Sequence, residues 1–237
     1  MVKIILLGIV FQCLNTLSGS SFDTISKLLG SKSYYWYHIF GIGNTFGLVL
    51  FFIFLYFNGG IKNHIILKNK TNYIIPLLRG LTMIPIPIFV FISLKHVPLN
   101  VFTTLLMTSP FFIFIFSQII QKEKVTYINW IILFIGFVGV VFVIKPNPAN
   151  LNIYIFLVLY VSAYNSLSNV ILSKYSKLAS SYGYTFYHFA PMTIVSMVIF
   201  LFDPVQPPLK ELIMFLGLGM FLMLSILFWT AAFHIAG

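Results

Sequence analysis

Hydrophobic residues run along this chain in long unbroken stretches, and polar residues fall between them in short clusters. A membrane β-barrel would show alternation in segments of about ten residues, and these runs are longer and continuous. A helix crosses the roughly 30 Å hydrocarbon layer with about 20 apolar residues. Eight runs approach that length, at about 4–26, 35–57, 73–94, 99–120, 127–145, 152–172, 183–202 and 211–233. Helices are the expected form, because hydrocarbon offers no partner to a backbone N–H or C=O. The pattern therefore predicts an all-α, polytopic transmembrane helix bundle of about eight spans. The connections are short. The longest, at about 58–72, carries Lys62, His64, Lys68 and Lys70. The first run extends beyond a signal-peptide core and has no small-x-small cleavage site, so it is expected to remain as a helix.

Composition narrows the class. Of 237 residues, 59% are hydrophobic and 8% charged, whereas a soluble domain is about a quarter charged. The acids are Asp23, Glu123, Asp203 and Glu211. One cysteine, Cys13, excludes a disulfide framework and a cysteine-ligated zinc site. His64, His96, His188 and His234 have no ligand spacing, so no metal or other cofactor is expected.

The net charge of +10 raises nucleic acid as a partner. That reading fails. Arg79 is the one arginine among 14 cations, and nucleic-acid readers rely on arginine for bidentate contacts. Lysines in short cytoplasmic loops explain the excess more simply. With the N-terminus inside, Lys3, Lys62, Lys68, Lys70, Lys122, Lys124, Lys174 and Lys177 lie on the inner side. Lys27, Lys32, Lys95, Lys145 and Lys210 then lie outside. This bias predicts a cytoplasmic N-terminus in an inner membrane, with the lipid bilayer as the main partner.

An internal repeat is visible. Ser26-Lys27 precedes Tyr37-His38-Ile39-Phe40, and Ser173-Lys174 precedes Tyr187-His188-Phe189. The third span ends Phe91-Ile92-Ser93-Leu94-Lys95-His96-Val97, and the eighth ends Thr230-Ala231-Ala232-Phe233-His234-Ile235-Ala236. The organisation expected is a first repeat of five helices over 1–148 and a partial second repeat of three over 149–237. A five-span repeat has an odd number of crossings, so its second copy enters the membrane inverted, as in many secondary transporters. Two further spans would complete the pattern, which makes the chain look truncated.

Several motifs carry a resemblance. They are Arg79-Gly80, Leu94 to Pro98, Thr108-Ser109-Pro110, Glu123, Trp130 and Gly136-Phe137-Val138-Gly139-Val140. Together they resemble the EamA-type drug/metabolite transporters. Asp23-Thr24-Ile25-Ser26-Lys27 is similar to a subgroup that includes S-adenosylmethionine uptake carriers. That subgroup carries an arginine in the next helix, where this sequence offers His38. The resemblance implies a carrier of ten helices, five plus five, that moves a small metabolite.

Candidate pathway residues follow from cost. An ionisable group in a span is expensive and often functional. Asp23 and Lys27 share one helix face, and His38 begins the next span on the same side. They form a polar entrance or sit at headgroup level. Arg79 lies about two turns into its span. It clamps a carboxylate or phosphate with its planar fork, or reaches back to the inner interface. Pro85, Pro87 and Pro110 interrupt two adjacent spans, where Thr103, Thr104, Thr108 and Ser109 offer polar company to freed carbonyls. These are pathway breaks or ordinary kinks. Asn165, Ser166, Ser168 and Asn169 crowd the sixth span, for substrate or for hydrogen bonds between helices. Gly43 with Gly47, and Gly136 with Gly139, read as helix-packing faces within or between chains. Lys122-Glu123-Lys124 reads as a cytoplasmic turn.

The rival readings are a membrane enzyme and an inactive remnant of a longer carrier. No H-E-x-x-H, G-x-S-x-G or phosphate-binding G-x-x-x-x-G-K sequence occurs, and the acids are far apart. The expectation is a non-enzymatic carrier of a small polar metabolite, with S-adenosylmethionine as the candidate, working by alternating access. A homodimer is the one protein partner considered.

Overall fold

The apolar runs fold as helices that proline interrupts at two places. In a computed structural model of the chain, the described residues are 2–67, 70–122, 126–144 and 153–236. Among them the helices are α1 (Val2–Gly30), α2 (Trp36–Phe57), α3 (Ile61–Ile65), α4 (Ile74–Thr82), α5 (Pro85–His96), α6 (Leu99–Leu106), α7 (Ser109–Phe116), α8 (Tyr127–Ile144), α9 (Ile153–Tyr175), α10 (Ser181–Phe202) and α11 (Leu209–Ala236). No strand occurs among the described residues. Glu123 and Lys124, of the expected cytoplasmic turn, lie outside them.

Ile74–His96 is one apolar stretch, yet α4 stops at Thr82 and α5 restarts at Pro85. Proline has no N–H to give, and its ring clashes with the carbonyl one turn back. Pro110 divides Leu99–Gln121 in the same way: α6 ends at Leu106 and α7 begins at Ser109. A π-helical turn over Ser117–Gln121 closes α7, and Lys122 follows at φ 58°.

Among the described residues six stretches are long and apolar enough to cross a membrane, against the eight expected. They are Trp36–Phe57, Ile74–His96, Leu99–Gln121, Ile153–Leu178, Ser181–Phe202 and Leu209–Ile235. The other two expected spans fall in α1 and α8. α1 carries Gln12, Asn15, Thr16, Ser18, Ser20, Ser21 and Asp23, which lower its hydropathy. α8 contributes a shorter apolar stretch, Tyr127–Gly139.

The chain divides into two compact units, Met1–Pro87 with Tyr175–Gly237, and Ile88–Lys174. In the first, α11 packs against α1, α2 and α10, and α10 also packs against α2 and α4. α1 and α11 run antiparallel: the Phe11 ring meets Phe228 at 6.0 Å, and Ser225 Oγ donates to Asn15 Oδ1 at 2.7 Å. α2 crosses α11 at Gly43 and Gly47 of one helix and Gly219 of the other. A Cβ on Gly47 would fall 2.7 Å from the Gly219 carbonyl oxygen. One on Gly219 would fall inside the Gly43 carbonyl, and one on Gly43 inside that of Phe215. Lipid removes the hydrophobic drive between helices, so backbone approach of this kind supplies the association. Phe51, Leu55, Phe189, Met223 and Ile226 fill the space beside the crossing.

In the second unit, Phe111 and Phe114 of α7 make edge contacts with Phe137 and Trp130 of α8, at 5.2 and 5.0 Å. His96 stacks on Tyr154 at 3.9 Å. A Cβ on Gly136 or Gly139 would meet nothing within 4 Å.

Candidate functional site

Three polar arrangements stand out against this apolar background. The first surrounds Arg79. Gly80 lets α4 approach α10 so closely that a Cβ there would fall inside the Tyr187 carbonyl. That approach fixes the neighbouring Arg79, which is 5% exposed. Its guanidinium carbon lies 4.5 Å from the centroid of the Trp229 ring and 6.0 Å from that of Tyr184. A planar guanidinium over an indole face is a favourable cation–π geometry. Tyr184 and His188 are four apart on α10 and so share a face. The Tyr184 hydroxyl donates to the Tyr175 carbonyl at 2.5 Å. The His188 ring meets Trp229 edge-on at 5.5 Å and is buried. Its Nδ1 has no hydrogen-bond partner among the described residues.

The second arrangement repairs the break at Pro110. Ser162 Oγ of α9 donates to the Leu106 carbonyl at 3.3 Å, and Ser166 Oγ shares its one hydrogen between the Ser162 carbonyl of its own helix at 2.7 Å and the Ser109 carbonyl at 3.0 Å. Thr108 Oγ1 lies 3.1 Å from Ser162 Oγ and donates to the Leu105 carbonyl at 2.7 Å. The hydroxyls of Thr103 and Thr104 bond to Asn100 of their own helix. The polar company of the break therefore includes a neighbouring helix, with Ser162 a residue outside the expected set. Asn165 and Asn169 are half-buried on the same helix α9.

The third gathers the ends of α2, α10 and α11. His38 Nδ1 accepts from the Tyr35 N–H at 3.3 Å, which leaves Nε2 to carry the hydrogen. Nε2 meets Asp203 Oδ2 at 3.0 Å, and the Tyr37 hydroxyl donates to the same oxygen at 2.8 Å. These two bonds, Tyr37's first, hold the Asp203 carboxyl below the ordinary carboxylate value. Glu211 accepts from the Tyr34 hydroxyl and lies 3.4 Å from Lys32 Nζ. Asp23 and Lys27 sit half-buried, one turn apart, on α1. Asp203 and His188 are about 22 Å apart along α10, at 1.5 Å per residue. The acidic cluster and the Arg79 cluster therefore occupy opposite ends of that helix.

Pro85 is half-buried and Pro87 buried just after the α4–α5 break. Among the described residues no group of three His, Cys, Asp or Glu side chains could hold a metal ion. Sequence reasoning missed Trp229, Tyr184 and His188 as neighbours of Arg79. The available signal was weak: a Tyr and a His one turn apart in a span.

The chain is similar to named transporters. It is 26% identical to the pseudopaline exporter CntI of Pseudomonas aeruginosa, over 66% of this chain and 56% of that protein. It is 27% identical to a riboflavin transporter of Brucella anthropi, over 61% and 53% respectively. It is 24% identical to an S-adenosylmethionine uptake transporter of Rickettsia prowazekii, over 92% and 72%. The chain thus spans little more than half the length of the first two relatives. The EamA-like transporter family matches residues 6–145. That match covers more than half of this multi-pass, all-helical membrane chain, which belongs to the EamA-like transporter family.

Proposed function

We propose that this chain is a carrier for a small, anion-bearing polar metabolite, with S-adenosylmethionine as the leading candidate, and that it lies in the cytoplasmic membrane with its N-terminus inside. The observation that carries the reading is Arg79, a permanently charged side chain held among the helices against Trp229. Keeping a guanidinium inside a membrane bundle is costly, and a solute carboxylate is the group its planar fork fits best. S-adenosylmethionine presents a carboxylate for Arg79 and an aromatic base and a sulfonium for the surrounding rings. Relatives named as uptake transporters for that solute align over the larger share of this chain, which favours it over the other solutes.

Transport runs by alternating access between two inverted helical repeats. The solute shifts the population between outward and inward forms by binding them unequally. The helix breaks at Pro85 and Pro110 give the chain places to bend.

The test is uptake of labelled S-adenosylmethionine by proteoliposomes containing the chain, beside Arg79→Ala. Uptake that is lost in a normally inserted Arg79→Ala protein supports both the solute and the clamp. Equal uptake by the two removes Arg79 from the pathway. Absence of uptake by the unaltered chain removes S-adenosylmethionine as its solute.

A further inference from the structure

We propose that His188 is a direct solute contact, its Nδ1 hydrogen-bonding the solute whose anionic group Arg79 receives. The inference rests on the reading of Arg79 as an anion site and adds a second ligand-binding side chain. Both residues lie against one indole, Arg79 on the face of Trp229 at 4.5 Å and His188 at its edge at 5.5 Å. Three helices supply the group: α4 through Arg79, α10 through His188 and Tyr184, and α11 through Trp229.

The carrying observation is the ring nitrogen. His188 is 9% exposed, and its Nδ1 has no hydrogen-bond partner among the described residues. Proteins rarely bury a polar atom without a partner, because its lost hydration is not replaced. Neighbouring groups on α10 do find partners: Tyr184 bonds to the Tyr175 carbonyl and Thr185 to the Ser181 carbonyl. Phenylalanine would fill the same space without the polar cost. A solute atom that arrives with each transport cycle accounts for the nitrogen where packing alone does not. The occupant is a polar atom adjacent to the solute's carboxylate or phosphate, since Arg79 and His188 flank the same ring.

Two measurements decide the proposal. The first is thermal unfolding of His188→Phe in detergent without solute. A nitrogen that waits for solute contributes nothing to the empty protein, so the midpoint stays the same or rises. A fall of several degrees means that Nδ1 already has a structural partner, and it overturns the proposal. The second is uptake of S-adenosylmethionine by proteoliposomes. His188→Phe is expected to lower it about tenfold or more, the loss of one hydrogen bond to a charged or strongly polar group. An asparagine amide reaches about as far as Nδ1, and a glutamine amide about as far as Nε2. His188→Asn should therefore retain most of the uptake that His188→Gln loses. Equal losses in the two, or full uptake by His188→Phe, overturn the assignment. If the unaltered chain takes up no S-adenosylmethionine, the solute assignment fails, and the unfolding measurement alone decides His188.

Discussion

The guanidinium of Arg79 lies over the indole of Trp229, its carbon 4.5 Å from the ring centroid. One residue belongs to α4 and the other to the last turns of α11, so the contact ties helices from distant parts of the chain. Where the pair is desolvated, such stacking is worth about 1–2 kcal/mol. A double-mutant cycle of Arg79→Met and Trp229→Leu, read by thermal unfolding in detergent, is expected to show coupling of about that size. Trp229→Phe keeps a weaker ring face and should lose only part of it. Additive effects of the two changes would show that the stacking carries no energy.

The α2–α11 crossing makes a sharp steric prediction. A Cβ on Gly219 collides with the backbone of Gly43, and backbone cannot move aside as a flexible side chain can. Gly219→Ala should cost at least about 1–3 kcal/mol, or prevent assembly of the unit. Gly136→Ala is the matched control, because nothing lies within 4 Å of its added methyl. There alanine's better helix propensity should leave stability unchanged or raise it by about 1 kcal/mol. Comparable destabilisation at both positions would refute the crossing geometry.

The break at Pro110 depends on a hydroxyl from α9, that of Ser162. Ser162→Ala leaves the Leu106 carbonyl, to which Pro110 has no N–H to give, short of a donor. It should cost about 1 kcal/mol in detergent. Thr103→Val removes only a bond to Asn100 of the same helix and should cost less. Hydrogen exchange at the Leu106–Ser109 turn would locate the effect.

Asp203 gives a pH dependence with a defined sign. Its carboxyl is held below the ordinary value by Tyr37 and then by His38. A lowered folded pKa means that its stabilisation is fully present above the unfolded value of about 3.9 and is lost as pH falls through the folded one. The unfolding midpoint of the natural chain should therefore fall more steeply below about pH 4 than that of Asp203→Asn. The carboxylate is exposed, so the difference will be small and should shrink in high salt. Parallel pH curves would count against the contact.

Much of the fold was legible in the sequence. Runs of apolar residues longer than about 18 define helices in lipid irrespective of partner, because the backbone must satisfy itself. Pro85 and Pro110 likewise announced the two interruptions, since a missing N–H is a local fact. The span count read less cleanly. α1 mixes Gln12, Asn15 and several serines into its apolar run, so its length alone overstated its hydropathy.

The candidate site was only half legible. Arg79 stood out by its cost in a span, and Gly43 and Gly47 by their spacing. Their counterparts did not. Trp229 reads as one aromatic residue among many, Gly219 as one small residue in an apolar helix, and Asp203 as a loop acid. Their roles arise from where α10 and α11 return to α2 and α4.

By itself the sequence determined that this chain is helical, lies in a membrane and carries a rare charge within a span. Each of those follows from local chemistry summed over one turn or one crossing. Only the tertiary structure decided that Arg79 rests on Trp229 beside His188, and that Asp203 closes on Tyr37 and His38. Apolar helices in lipid have no hydrophobic pattern that selects a neighbour. Partner choice then falls to close backbone approach and a few polar contacts, and both exist only once the helices are assembled.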